Sequence, residues 1–129
     1  EELAVIFEAL GGHERLGVCL DSCHLFVSGV DVRDPATMDA VVAEVDERIG
    51  LDRLRVLHAN DAKAPLGSNR DRHENIDDGL IGEGLGVFLA HPQLQHLPVV
   101  LEVPGKDGKG PNAEEIRKLR ELHARAAST

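Results

Sequence analysis

An α/β fold with a parallel sheet is the fold class this sequence predicts, on three observations. Short apolar runs alternate with helical patterns three times along the 129 residues, and such alternation implies parallel strands joined by crossover helices. Each apolar run closes on a side chain able to bind a metal: Asp21, His58 and Glu102. Three strands alone would leave two open sheet edges, and a complete eightfold barrel needs about 250 residues. The chain also opens inside a helical pattern, at Glu1 rather than at Met. The expectation is therefore one domain, residues 1–129, forming a piece of a larger α/β protein.

The elements follow in order. Leu3, Ile6, Phe7 and Leu10 recur at helical spacing, which predicts a helix over Glu1–Leu10. Gly11-Gly12 ends it, because glycine takes the left-handed cap without steric cost. Leu16–Asp21 is a short, partly β-branched apolar run, read as a buried strand. Pro35 opens a second helix to about Ile49, stopped by Gly50, and Leu54–His58 is the second strand. The polar stretch from Ala59 to Gly84 is too long for an ordinary connection and is expected to carry function. A short helix over Gly84–His91 and a third strand over Pro98–Glu102 come next. Pro104–Pro111 reads as a loop, and Asn112 caps a last helix from about Ala113 to Ala127, with Glu114 and Glu115 in its first turn.

Composition excludes several classes. Nothing approaches 18 consecutive apolar residues, so no transmembrane helix is expected. No basic-plus-apolar leader opens the chain, and two cysteines, Cys19 and Cys23, are too few for a disulfide scaffold. A reduced, cytoplasmic setting is the expectation. A net charge of -9 argues against bulk electrostatic binding of nucleic acid, unless bound cations neutralise the carboxylates. Three Phe and no Trp or Tyr leave almost no platform for base stacking.

The chemistry concentrates at the strand ends. In parallel α/β folds the C-terminal ends of the strands share one face, and sites are built there. Asp21, His58 and Glu102 should converge on that face, joined by His24 and by Asp71 and His73 from the long loop. Three carboxylates and three imidazoles suit zinc, and also manganese or iron. His13, His91, His96 and His123 fall in turns or on helix surfaces and are read as solvated. Cys19 and Cys23 are read as packing residues. Gly82, Gly84 and Gly86 follow a loop and not a strand, so they make a poor nucleotide-binding turn.

These residues carry a resemblance. Gly17-Val18-Cys19-Leu20-Asp21-Ser22-Cys23-His24 is similar to a signature of the endonuclease IV family of apurinic/apyrimidinic endonucleases, with Ser22 where Thr is usual. Leu57-His58-Ala59-Asn60-Asp61-Ala62-Lys63, continued by Gly67-Ser68-Asn69-Arg70-Asp71-Arg72-His73, resembles that family's other long signature. Val100-Leu101-Glu102 followed by Pro104-Gly105 resembles its final-strand motif, with Val103 where Thr is common. Asp77-Asp78-Gly79 departs from the family's usual Gly-Glu-Gly.

The resemblance implies the C-terminal part, about three strand–helix units, of a TIM-type (β/α)8 barrel with a site for up to three Zn2+. Asp21, His58 and Glu102 would hold one zinc and be the catalytic set; His24, Asp71 and His73 would hold a second. The remaining ligands would come from the missing N-terminal part of the barrel. The implied activity is zinc-dependent cleavage of the phosphodiester 5′ to an abasic site in double-stranded DNA, in base excision repair. Arg72, Arg70, Lys63 and Asn60 are the residues expected to touch DNA. Two zincs would offset four of the formal negative charges. Other readings are a metal-dependent sugar isomerase or epimerase of a related barrel, or a non-catalytic zinc-binding fragment. The barrel-facing sides of Val18, Leu20, Val56, Val99 and Leu101 should lack cover, so the chain is expected to self-associate or to pair with the rest of a barrel.

Overall fold

The computed structural model describes residues 1–128. Helix α1 (Glu2–Ala9) leads into strand β1 (Val18–Asp21), the short helix α2 (Ser22–Val27) and helix α3 (Pro35–Arg48). Strand β2 (Leu54–His58) is followed by two two-residue strands, β3 (Asp61–Ala62) and β4 (His73–Glu74). Helix α4 (Leu85–Leu89), strand β5 (Val99–Val100) and helix α5 (Ala113–Ala127) complete the order. β1, β2 and β5 form a parallel sheet with β2 at its centre, as the alternation predicts. Asp21 lies beside His58 and His58 beside Val100, so the carboxyl ends of the three strands are level.

Local chemistry explains where helices begin. The Asp34 carboxylate accepts the Thr37 N–H at 2.9 Å, and Pro35 takes the first helical position of α3. Met38, Val42 and Val45 then bury one stripe of that helix. Asn112 caps α5 by accepting the Glu115 N–H at 3.2 Å. Helix α2 has no counterpart in the sequence reading. It forms because Asp21, the last residue of β1, accepts the His24 N–H at 3.0 Å and turns the chain straight into a helix. Each such cap contributes about 1 kcal/mol.

One face of the sheet is covered by helices, and the core lies between, with Leu20, Leu57, Phe26, Met38, Phe88 and Val103 among its buried members. The register of β1 against β2 shifts between Val18 and Cys19: Val18 pairs with Leu54, but Cys19 pairs with Val56, leaving Arg55 over. Leu54 and Leu57 can therefore both be buried, while Cys19, Asp21, Val56 and His58 share the opposite face. This corrects the expected facing. Val18 and Leu20 belong to the core, and Val99 and Leu101 line an apolar groove between β5 and α5 with Leu89, Leu97 and Leu119. Of the five residues expected on the barrel side, Val56 alone lies with Cys19. Most of the exposed large apolar side chains sit at the two lateral edges instead: Leu3, Val5 and Ile6 on α1 with Leu10 just after it, and Val99, Val100 and Ile116 at β5 and α5.

The expected third strand, Pro98–Glu102, is ordered as a strand only over Val99–Val100, where Leu57 and Ala59 donate N–H bonds to the carbonyls of Pro98 and Val100. The 59–84 segment is anchored rather than loose. Asp61 pairs with Glu74 and Ala62 with His73 across β3 and β4. Asn60, Asp61, Ile76 and Ile81 are buried. The Glu115 carboxylate on α5, itself buried, accepts the Ile76 N–H at 2.8 Å. His91, expected in solvent, is 8% exposed and contacts Asp39 at 2.9 Å, because the turn after α4 folds it back onto α3. No helix among the described residues is long and apolar enough to cross a membrane.

Candidate metal centre

The level strand ends bring Asp21, His58 and Glu102 together. One ligand-type atom of each lies within 4.8 Å of the others. His58 Nδ1 is 2.7 Å from Glu102 Oε1 and 3.4 Å from Asp21 Oδ2. Asp21 is buried, whereas Glu102 is half exposed. The second expected set also meets, through Asp71. Its carboxylate lies between two imidazoles, with His24 Nε2 at 2.9 Å and His73 Nε2 at 3.2 Å. The rings of His24 and His73 are tilted by 48° with centroids 5.6 Å apart. The compact groups, however, are Asp21–His24–His73 and Cys23–Asp71–His73, so His24, Asp71 and His73 touch pairwise without closing into one triad. Asp21 thus belongs to two of the three compact groups.

A cation fits these residues on the state of His73. Its Nδ1 lies 3.1 Å from the Glu102 carbonyl oxygen, which can only accept, so Nδ1 carries the proton. In the neutral ring Nε2 then presents a lone pair. That atom is buried, has no hydrogen-bond partner among the described residues, and faces an Asp71 oxygen. Two acceptors in that position repel unless a proton or cation lies between them. An imidazole whose far nitrogen donates to a carbonyl is also the usual form of a metal ligand.

Asn60 stands differently from its expected role. It is fully buried, so it cannot reach DNA from solvent. Its side chain faces Asp21 and the Glu102 backbone instead. Lys63, Arg70 and Arg72 are exposed and, with Asn69, border an open hollow beside Asp71. Arg72 also donates to the Asp71 carbonyl at 2.7 Å, which ties the guanidinium to the residue next to it.

Sequence reasoning gave Asp61 no role, whereas the packing reading of Cys23 agrees with its burial. Asp61 is fully buried and receives the backbone N–H groups of Ala62, Gly79, Ile81 and Gly82 at 2.8–3.1 Å. Gly79 permits this: a Cβ there would lie 2.5 Å from Asp61 Oδ1. The run of polar residues directly after a buried strand was the available signal. Cys23 is fully buried, with its sulfur 3.6 Å from the Arg72 carbonyl and 3.9 Å from Asp71 Oδ1. Burial, and then the charges of Asp21 and Asp71, push its thiol up to about 12. In the metal-free protein Cys23 is therefore expected to resist iodoacetamide at pH 8 until urea unfolds the chain, since the thiolate is the reactive form. Peptide mapping by mass spectrometry reads this directly, and rapid labelling of folded protein would refute it.

The family described as xylose isomerase-like TIM barrel matches residues 1–124. The chain belongs to that family. Its parallel sheet with a helical cover agrees with such a barrel, in part. The protein named "Probable endonuclease 4" of Chloroflexus aggregans is 42% identical over 123 residues, 95% of this chain and 43% of the relative. The protein of that name from Moorella thermoacetica is 49% identical over 125 residues, 95% of this chain and 45% of the relative. The crystal structure of endonuclease IV from Thermus thermophilus superposes with a TM-score of 0.75 at 33% identity, covering 99% of this chain and 44% of that one. The resemblance to endonuclease IV read from the motifs is borne out. The chain spans less than half the length of these relatives.

Proposed function

We propose that this chain supplies the C-terminal part of a zinc-dependent endonuclease site that cleaves double-stranded DNA on the 5′ side of abasic residues and leaves a 3′-hydroxyl, as in base excision repair. The observation that carries it is the strand-end set Asp21, His58 and Glu102 standing beside the Asp71 carboxylate between His24 and His73. The first set would hold one zinc, and His24, Asp71 and His73 a second. Bound zinc supplies a water of lowered pKa and positive charge for phosphate oxygens. Asp71 meets His24 and His73 with separate oxygens, and a shared cation would relieve the repulsion between Asp71 and the His73 Nε2 lone pair. Arg72, Arg70 and Lys63 give a local cationic rim on a chain of net charge -9, and they would steer the DNA backbone to it. A sugar isomerase has no evident use for the added Asp71–His73 pair. Free Cys19 and Cys23 suit a reducing, cytoplasmic setting.

The other half of the barrel is the partner this reading requires. Exposed apolar residues flank both sheet edges, and each fully covered aliphatic side chain would contribute about 1.5–3 kcal/mol to docking. The 129-residue chain alone is expected to cleave at least about a thousandfold more slowly than a full-length relative, because losing several kcal/mol of transition-state charge stabilisation costs that much. The test is a chimera in which this chain replaces the matching segment of the Moorella thermoacetica relative. It should nick a duplex with one abasic site in the presence of zinc, leave a 3′ end that a polymerase extends, and lose activity to chelator. A folded, zinc-loaded chimera that leaves such a duplex intact would overturn the proposal.

A further inference from the structure

The central strand of a three-stranded sheet is the only one that borders both others, so a side chain just beyond its end can touch both neighbours. Asn60 occupies that place, two residues after His58. Its Nδ2 donates to Asp21 Oδ2 at 2.9 Å, at the end of β1, and its Oδ1 accepts the Glu102 N–H at 2.8 Å, beyond β5. The Asn60 backbone is itself held: its N–H donates to Ser22 Oγ at 2.9 Å, and that hydroxyl donates to the Asn60 carbonyl at 2.7 Å. Asn60 and Ser22 are both fully buried, so water does not compete for these bonds.

We propose that Asn60 is the positioning residue of the metal centre, its amide setting the orientation of the Asp21 carboxylate and its distance from Glu102. This rests on the metal reading above. With Oδ1 of Asp21 taken by the His24 N–H and Oδ2 by the Asn60 amide, the carboxylate plane is fixed from both sides. What remains of Oδ2 faces His58 Nδ1, 3.4 Å away. The polarity of the amide is required. Asn60→Asp keeps the acceptor for the Glu102 N–H but sets an oxygen against Asp21 Oδ2. Asn60→Ala removes both bonds and frees the two strand ends from each other.

Cobalt(II) replaces zinc and reports ligand geometry through its visible d–d bands, so titration of this chain with Co2+ alone provides the probe. Asn60→Ala and Asn60→Asp should weaken Co2+ binding by about 10–100-fold, the range for loss of a group that orients a ligand. They should also change the band shape at saturation. Met38→Ala, a buried change in α3 remote from the centre, should lower stability but keep the parent's saturated spectrum. In the unsubstituted protein, the Asn60 side-chain amide protons should exchange slowly by NMR and shift when Zn2+ is added. Parent-like affinity and bands in a folded Asn60→Ala would overturn this assignment alone. A parent that binds no Co2+ would overturn the metal reading, and this assignment with it. Should neither variant fold, an Asn60 amide that exchanges freely and ignores Zn2+ would still refute the role.

Discussion

Asp21→Asn is expected to weaken zinc binding by about a thousandfold or more while leaving the metal-free chain folded. Asp21 offers an oxygen to two of the three compact groups, and it is the one buried carboxylate among them. In the variant, the retained carbonyl oxygen can still cap α2 through the His24 N–H, which explains why the fold should survive. The new NH2 would sit where Oδ2 was, 2.9 Å from the Asn60 amide donor, and would offer no lone pair to a cation. A loss of roughly 4 kcal/mol of binding corresponds to that thousandfold. Urea unfolding with and without zinc measures it. The parent should gain stability as zinc rises above its dissociation constant, about 4 kcal/mol at a thousandfold excess, and the variant should gain almost none over the same range. Equal zinc-dependent stabilisation of both proteins would contradict the assignment of Asp21.

The second large effect is expected at Asp61. Replacing it with Ala leaves four backbone N–H groups, those of Ala62, Gly79, Ile81 and Gly82, without their acceptor. An unsatisfied buried donor costs about 1–3 kcal/mol, and some of the four would find water as the loop loosens. A net destabilisation of about 3–5 kcal/mol is the expected result, read as a fall of roughly 12–20 °C in Tm. The effect should reach the metal centre, because β3 carries Asp61 and pairs with β4, which begins at His73. Burial pushes the Asp61 carboxyl up, and the four amides only partly oppose it. A carboxyl raised in the folded state binds its proton more tightly there than when unfolded. The parent's stability should therefore decline as pH rises through the folded value, and Asp61→Ala should lack that slope. A variant within about 1 kcal/mol of the parent would show that water already satisfies the loop.

The features legible along the chain are those that depend on local chemistry and on short, regular spacing. Helices α3 and α5 were legible because Pro35 and Asn112 announce their starts and Gly50 stops α3, whereas the Asp34 cap and the buried Met38, Val42 and Val45 stripe came with the structure. β1 and β2 were legible as apolar runs, and their parallel pairing followed from the helices between them. The level strand ends then made the meeting of Asp21, His58 and Glu102 predictable, since a parallel sheet leaves little freedom in that direction. The tertiary structure decided the rest. A single register shift at Val18–Cys19 set which side chains face the helices, and an alternation pattern carries no trace of an extra residue in one strand. The β3–β4 pair is closed by partners on either side of the long loop, so no window of neighbouring residues contains it. Asn60 read as a residue of the long polar stretch that touches DNA. Its amide was instead consumed by Asp21 and Glu102, which stand 39 and 42 positions away in the chain. A buried polar group is placed by the partners that satisfy it, and those partners are brought within reach only when the strands assemble.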